Sequence, residues 1–149
     1  MIYFCENNGY GMGTSQDRAA HNTEFFRRGD KIPGIKIDGQ NVLMVREAMK
    51  WAGKFVQENG PLFIEADTYR YHGHSMSDPG ISYRDKTEVT EVRNTRDPLL
   101  ICERMLIEQK WATAEELKAI EKTIRKRIDE EVEQARADPF PTRDDLYTH

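Results

Sequence analysis

Two polar, turn-rich stretches of this sequence carry the residue types from which a binding or catalytic site is built. The first is Glu6-Asn7-Asn8-Gly9-Tyr10-Gly11-Met12-Gly13-Thr14-Ser15. Asparagine side-chain oxygens and turn carbonyls are hard, neutral ligands suited to Mg2+, which typically keeps substrate phosphate oxygens in its shell. The glycines let the backbone take conformations closed to other residues and let a ligand approach closely. One Asn and one carbonyl do not hold a divalent cation unaided, so such a site needs a carboxylate from elsewhere. The same spacing also describes a plain glycine-rich turn with Asn in a left-handed conformation.

The second stretch is Tyr69-Arg70-Tyr71-His72-Gly73-His74-Ser75-Met76-Ser77-Asp78-Pro79-Gly80-Ile81-Ser82-Tyr83-Arg84. It has almost nothing apolar to bury, and long polar loops of this kind are functional or disordered. His72-Gly73-His74 offers two imidazoles two residues apart. A zinc site would need a third and a fourth ligand; His21 and Cys5 are the only further candidates, and no zinc-like spacing connects them. An imidazole beside Arg70 and Arg84 could instead contact an anionic cofactor or shuttle protons near neutral pH. A surface histidine pair is the plain alternative.

Both stretches follow strand signals. Ile2 to Cys5 is a short apolar, β-prone run that ends in turn formers, and Ile35-Lys36-Ile37 alternates and stops at Asp38-Gly39. Val42, Val45, Ala48, Met49, Ala52, Phe55 and Val56 recur at helical spacing up to Asn59-Gly60-Pro61, a glycine C-cap followed by a proline. Leu62-Phe63-Ile64 starts another strand. Strand, helix and strand in succession predict a parallel α/β unit, and the near-continuous apolar runs Ile2–Cys5 and Leu62–Ile64 predict strands buried on both faces. A loop after such a strand lies at the carboxyl edge of the sheet, where ligands bind.

Beyond Arg84 the sequence reads as helices. Asp97-Pro98 is an N-cap with proline in the first helical position, opening a segment with Leu99, Cys102 and Leu106 on one stripe. Thr113-Ala114-Glu115-Glu116 is a capping box that begins a long helix with Leu117, Ile120, Ile124, Ile128 and Val132 at spacings of three and four. Its Lys, Arg and Glu form a solvated face, and Asp138-Pro139-Phe140-Pro141 stops it. The expected organisation is therefore an α/β part at 1–84, with the loop 69–84 at its end, and a helical region at 85–149.

The 149 residues are 38% hydrophobic and 32% charged, with a mean hydropathy of −0.78. Leu, Ile, Val and Phe together number 30, close to the lean limit of globular composition. No stretch approaches the ~18–20 apolar residues of a membrane span. The short run Met1–Cys5 lacks a basic leader and does not read as a secretory signal. A net charge of −4 argues against a nucleic-acid partner, and the two distant cysteines, Cys5 and Cys102, read as reduced thiols. All of the net charge lies beyond Arg84, since residues 1–84 carry 10 basic and 10 acidic side chains. The apolar residues gather in a few strands and one helix before Arg84, which reads as part of a larger core.

Together the two stretches resemble the alpha subunits of the pyruvate dehydrogenase (acetyl-transferring) family, which belong to the thiamine diphosphate-dependent 2-oxo acid dehydrogenases. The resemblance continues through Arg28-Gly29-Asp30, Ile32-Pro33-Gly34, Asp38-Gly39 and Tyr83-Arg84 to Asp138-Pro139, so it covers nearly the whole chain. Branched-chain 2-oxo acid counterparts usually read differently after the second loop histidine, where this chain has Ser75-Met76-Ser77-Asp78-Pro79-Gly80, so pyruvate is the expected substrate. The family's cofactor motif is Gly-Asp-Gly followed well downstream by Asn-Asn, of which only Asn7-Asn8 is present. The chain therefore reads as the C-terminal portion of a subunit, expected by itself to bind no thiamine diphosphate. The rival reading is a non-catalytic interaction or regulatory module.

The resemblance implies the following roles. The Asn8 side chain and the Tyr10 carbonyl would ligate Mg2+ on the cofactor diphosphate, and His74 would sit against the diphosphate and the reaction centre. Ser75, Ser82 and Ser15 match serines that a dedicated kinase phosphorylates, and a phosphatase restores, in mitochondrial members. A phosphoryl group adds ~1.5–2 negative charges. Unit charges ~7 Å apart at an effective dielectric of ~20 repel by roughly 2 kcal/mol, so a phosphate at Ser75 facing a diphosphate would hold the loop open. The implied assembly is an alpha2beta2 heterotetramer whose beta subunit activates the aminopyrimidine, with a lipoyl-bearing acetyltransferase as acceptor. The implied location is the mitochondrial matrix, or the cytoplasm for a bacterial member.

Overall fold

The computed structural model describes residues 1–78, 80 and 82–148. Pro79 of the second loop motif, Ile81 and His149 lie outside the described residues. Strands β1 (Ile2–Asn7), β2 (Gly34–Asp38) and β3 (Leu62–Asp67) form one parallel sheet in the order β1-β3-β2. Helix α2 (Val42–Asn59) makes the crossover from β2 to β3. It starts where the Asn41 side chain accepts the N–H groups of Leu43 and Met44, and it ends at Gly60, whose φ of +89° only glycine adopts cheaply.

The core is small: Ile37, Ala52, Leu62, Ile64 and Ala66 are buried, with Ile2, Ile35, Val45, Ala48, Phe55 and Val56 packed around them. Central β3 is covered on both faces, as its apolar run predicts. Leu62, Ile64 and Ala66 alternate with Glu65, which is also fully buried on the opposite face. There the 3₁₀ turn Phe25–Arg27 crosses the sheet. It passes so close to the start of β2 that a Cβ on Gly34 would lie 1.8 Å from the Phe26 carbonyl oxygen.

For β1 the expectation of burial on both faces is corrected. Tyr3 and Phe4 are 44% and 43% exposed, because β1 pairs only with β3 and so forms an edge of this sheet. An apolar run records what a strand can bury and leaves its position in the sheet undetermined.

The parallel register sets Asn7 beside Asp67, and Asp67 beside Asp38. All three strands thus end at one edge, and residues 8–15 and 68–84 leave it from neighbouring strands. Beyond the second loop, α3 (Lys86–Arg96) has the Asp85 side chain on the Thr87 N–H as its cap. Its last residue returns to the carboxyl edge, where Arg96 lies 3.3 Å from Asp38 and 3.5 Å from Asp67. The Gln40 side chain donates to the Arg96 carbonyl and accepts from Thr68.

The chain divides into two compact units, Met1–Cys102 and Glu103–His149. Helix α4 (Pro98–Glu108) begins in the first, capped by Asp97 on the Leu99 and Leu100 N–H groups. The second unit holds α5 (Ala114–Ala137), opened by the complete Thr113–Glu116 capping box, and a 3₁₀ turn at Asp144–Tyr147. Ile120, Ile124, Ile128 and Val132 form an exposed stripe along α5. No described helix is long and apolar enough to cross a membrane.

Candidate active site

The first loop is shaped by two consecutive asparagines. Asn7 is buried and its Oδ1 accepts the Gly9 N–H at 3.0 Å; Asn8 repeats the turn one residue on, its Oδ1 accepting the Tyr10 N–H at 3.1 Å. Gly9 stands at a φ of +78° between them. The loop then closes on itself, with the Gly11 N–H on the Thr14 carbonyl and the Gln16 N–H on the Gly9 carbonyl, both at 2.8 Å. Ser15 is the N-cap before the single-turn helix α1 (Gln16–Ala19), half-buried, with no capping bond from its hydroxyl. Among the described hydrogen bonds the Tyr10 carbonyl accepts none.

The second loop is organised around Arg84 and Asp78. Arg84 is 94% buried by its neighbours, with 6% of its surface exposed. Its guanidinium donates to the carbonyls of Arg70 and His72 and lies 5.6–5.7 Å from the ring centres of Tyr10, Tyr69 and Tyr83. Arg70, His74 and Arg84 line one hollow; Arg84 faces inward and ties the loop's ends together, while exposed Arg70 reaches the His74 carbonyl at 3.3 Å. Asp78 accepts the His74 N–H at 2.9 Å, the Gly80 N–H at 2.8 Å and the Tyr83 hydroxyl at 2.7 Å. These three bonds hold its carboxyl below the usual carboxylate range, and the bond to Asp78 pushes the Tyr83 phenol up. Burial, and then the 2.9 Å bond to Glu88, push Tyr69 up to about 12.

The loops meet through Tyr10 and Tyr83, whose rings are 5.6 Å apart. Between them lies a hollow lined by Asn8, Tyr10, Gly11, Arg70, His74, Tyr83 and Arg84, with a free volume of about 10 Å³, room for one water. Asn8 and Tyr10 of the first loop and His74 of the second therefore line the same hollow. Ser75 and Ser82 are exposed on the second loop, the Ser75 hydroxyl 3.1 Å from that of Ser77, and Ser15 stands apart at the end of the first.

The donor set of this hollow is suited to a cation and to anionic oxygens. It combines a hard amide oxygen with a spare lone pair and an unbonded carbonyl for a cation, and it adds guanidinium and imidazole donors for phosphate oxygens. Among the described residues no three His, Cys, Asp or Glu side chains converge, so the carboxylate such a cation requires has to come from outside this set. The hollow is also far smaller than a cofactor. The residues fit one side of such a group.

One residue that shapes the site lies outside both loops. Glu65 sits beneath the first loop, joined to Asn7 by a 2.8 Å bond. The signal was present: a single acid inside the apolar run Leu62-Phe63-Ile64-Glu65-Ala66 has to be paired or hydrogen-bonded if the strand is central. Asp78 was visible as part of a motif, but its role depends on the loop's curvature, which spacing does not give.

The family model described as "Dehydrogenase E1 component" matches residues 1–144. The chain is 50% identical over 149 residues to the testis-specific, mitochondrial form of pyruvate dehydrogenase E1 component subunit alpha of Homo sapiens, an alignment covering 99% of this chain and 38% of that protein. It is 49% identical over 149 residues to the mitochondrial subunit alpha of Sminthopsis macroura, with 99% and 41% covered. To subunit alpha-2, mitochondrial, of Arabidopsis thaliana it is 48% identical over 148 residues, with 99% and 38% covered. The chain spans about two fifths of the length of the curated relatives it matches.

Proposed function

This chain belongs to the dehydrogenase E1 component family, and we propose that it forms the cofactor-facing C-terminal portion of a pyruvate dehydrogenase alpha subunit. The complete enzyme would decarboxylate pyruvate and pass the acetyl group to a lipoyl-bearing acetyltransferase; the names of its relatives read mitochondrial, and the matrix would be its place there. Its assembly would be an alpha2beta2 heterotetramer, the beta subunit completing the site. Residues 1–84 carry the cofactor-facing part in this reading, and residues 85–149 the helical region.

The observation that carries the reading is the convergence of Asn8, Tyr10, Arg70 and His74 on one hollow between two loops of a parallel sheet's carboxyl edge. Asn8 Oδ1 and the Tyr10 carbonyl would hold Mg2+, and Arg70 and His74 would face the diphosphate oxygens of thiamine diphosphate. When bound, that cofactor supplies the carbanion and the electron sink on which 2-oxo acid decarboxylation depends. The chain's own contribution is positional and electrostatic. Asn8 and Tyr10 are fixed by the turn they share, and His74 is a donor to anionic oxygen carried on a loop that Arg84 and Asp78 hold closed. A phosphoryl group on Ser75, exposed and next to His74, would repel the diphosphate and leave the loop disordered, and one on Ser82 would act on the same loop. Ser15 would act from the first loop.

The test is Asn8→Ala in the full-length subunit assembled with its beta partner. The expected result is a rise of tenfold or more in the Mg2+ needed for half-maximal binding of thiamine diphosphate, read by calorimetry. Unchanged cofactor affinity overturns the metal assignment.

A further inference from the structure

The Glu65 side chain is fully buried in the middle of the central strand, and both of its oxygens are committed. Oε1 accepts from Asn7 Nδ2 at 2.8 Å and lies 3.4 Å from Lys36 Nζ; Oε2 accepts the Phe26 N–H at 2.9 Å. Asn7 passes this anchoring on. Its Nδ2 also donates to Gln16 Oε1 at 2.9 Å, its Oδ1 takes the Gly9 N–H, and its carbonyl accepts the Thr68 N–H at 2.9 Å. The side-chain amide thus touches the beginning and the end of the first loop, and the backbone carbonyl of the same residue holds the root of the second.

The groups of this network are complementary throughout. A carboxylate that only accepts faces an amide nitrogen that only donates, and the amide's oxygen is left for the loop backbone. Burial pushes the Glu65 carboxyl up, and the Asn7 amide, the Phe26 N–H and Lys36 outweigh it, leaving it below the usual carboxylate range. A buried charge is retained in a small core at considerable desolvation cost. The sheet itself gains little from it, since β3 already pairs on both sides. Besides the Phe26 turn, what the charge fixes is the orientation of Asn7, and Asn8 is the next residue.

We infer that Glu65, acting through Asn7, is a positioning residue for the cation-facing oxygens of Asn8 and Tyr10. It touches neither substrate nor cofactor. It sets the turn that presents both oxygens and clamps the loop's far end through Gln16. The inference rests on the reading of Asn8 and Tyr10 given above, as contacts to a magnesium diphosphate.

The test uses the full-length subunit assembled with its partner, with Mg2+ and thiamine diphosphate as probes and two readouts. One is the Mg2+ concentration for half-maximal cofactor binding. The other is hydrogen exchange at the Gly9 and Tyr10 amides without cofactor. Glu65→Gln sets an amide nitrogen against a donor and is expected to raise the Mg2+ requirement about tenfold and to speed loop exchange. Lys36→Met also removes a partner of Glu65 but touches neither loop; it is expected to leave both readouts within about twofold. The reversed pair, Glu65→Gln with Asn7→Asp, restores one donor facing one acceptor and is expected to recover the Mg2+ requirement to within about threefold of the parent.

Unchanged loop exchange in Glu65→Gln overturns the inference. So do equal effects from Lys36→Met and Glu65→Gln, which would mark a merely structural charge. If Glu65→Gln does not assemble, Gln16→Met cuts the same network at its half-buried end, and the same two readouts decide. A parent that binds no magnesium–thiamine diphosphate sinks the proposed function, and the exchange data then decide the positioning role alone.

Discussion

The Asp78 carboxylate accepts the backbone N–H of His74 at 2.9 Å, so the residue expected to face the diphosphate is held by a side chain four positions further along the same loop. The same carboxylate also takes the Gly80 N–H and the Tyr83 hydroxyl. Tyr83 packs on Tyr10 of the first loop, so Asp78 links the curvature of one loop to the position of the other.

Asp78→Ala should therefore release the second loop without unfolding the sheet. The expected result is faster tryptic cleavage at Arg70 and Arg84, with little change in the thermal midpoint. Asp78→Asn keeps one acceptor and should give an intermediate rate. Because the carboxyl is held below its ordinary value, its contribution is complete above the ordinary range near ~4 and is lost as the pH falls through the lowered value. The loop of the parent protein should stay protected from pH 8 down to about 5 and open only on stronger acidification. Equal cleavage rates for parent and Asp78→Ala would contradict the role given to Asp78.

Gly73 makes the same loop possible from the backbone side. A Cβ there would lie 1.9 Å from the Asp78 carbonyl oxygen, and a backbone atom so placed cannot move without opening the turn. Gly73→Ala is expected to reproduce the protease sensitivity of Asp78→Ala, and the double variant to add little to either single change, because both break one closure. Additive effects would show two independent restraints.

How far the sequence discloses this arrangement depends on how local each cause is. The strands, α2 and the starts of α4 and α5 follow from periodicity and caps, which act within a few residues: Asn41 before Val42, Thr113 with Glu116. Helix α3 has no apolar stripe. It is marked only by Asp85 on the Thr87 N–H and is held by Arg96 at Asp38 and Asp67, a long-range ion pair that spacing does not reveal. The edge position of β1 depends on strand order, which is likewise non-local. The loops were legible as chemistry, since Asn, Gly, His and Arg are concentrated in them. The inward turn of Arg84 was not, because three tyrosine rings from two loops surround it.

Tyr69 offers a reading of loop closure by titration. Burial and its bond to Glu88 raise its phenol to about 12. A raised value means that the folded state keeps a proton which the unfolded state has lost. The associated stability is fully present below the ordinary tyrosine value near ~10 and is lost as the pH rises from there through about 12. A phenolate absorbance titration should contain a late component, to which the raised Tyr71 and Tyr83 also contribute, diminished in Tyr69→Phe and retained in full in Tyr147→Phe at the exposed C-terminal turn. The unfolding midpoint of Tyr69→Phe should fall less steeply across that window than that of the parent. Amplitude lost near ~10 in Tyr69→Phe, with the late component intact, would place the phenol in water.

Two glycines predict opposite signs for the same chemical change. Gly34 stands where the 3₁₀ turn crosses β2, and a Cβ would meet the Phe26 carbonyl oxygen at 1.8 Å. Gly34→Ala must push that turn off the sheet, drawing the Phe26 N–H away from Glu65, and should destabilise by about 1–3 kcal/mol or more. Gly53 lies inside α2, with nothing within 4 Å of an added Cβ. Gly53→Ala meets no clash and removes backbone freedom from the unfolded chain, so it should stabilise by about 0.5–1 kcal/mol. Denaturant titrations of the two variants should therefore move the midpoint in opposite directions. A Gly34→Ala protein as stable as the parent would mean that the turn does not lie against β2, and the buried bond from Phe26 to Glu65 would fall with it.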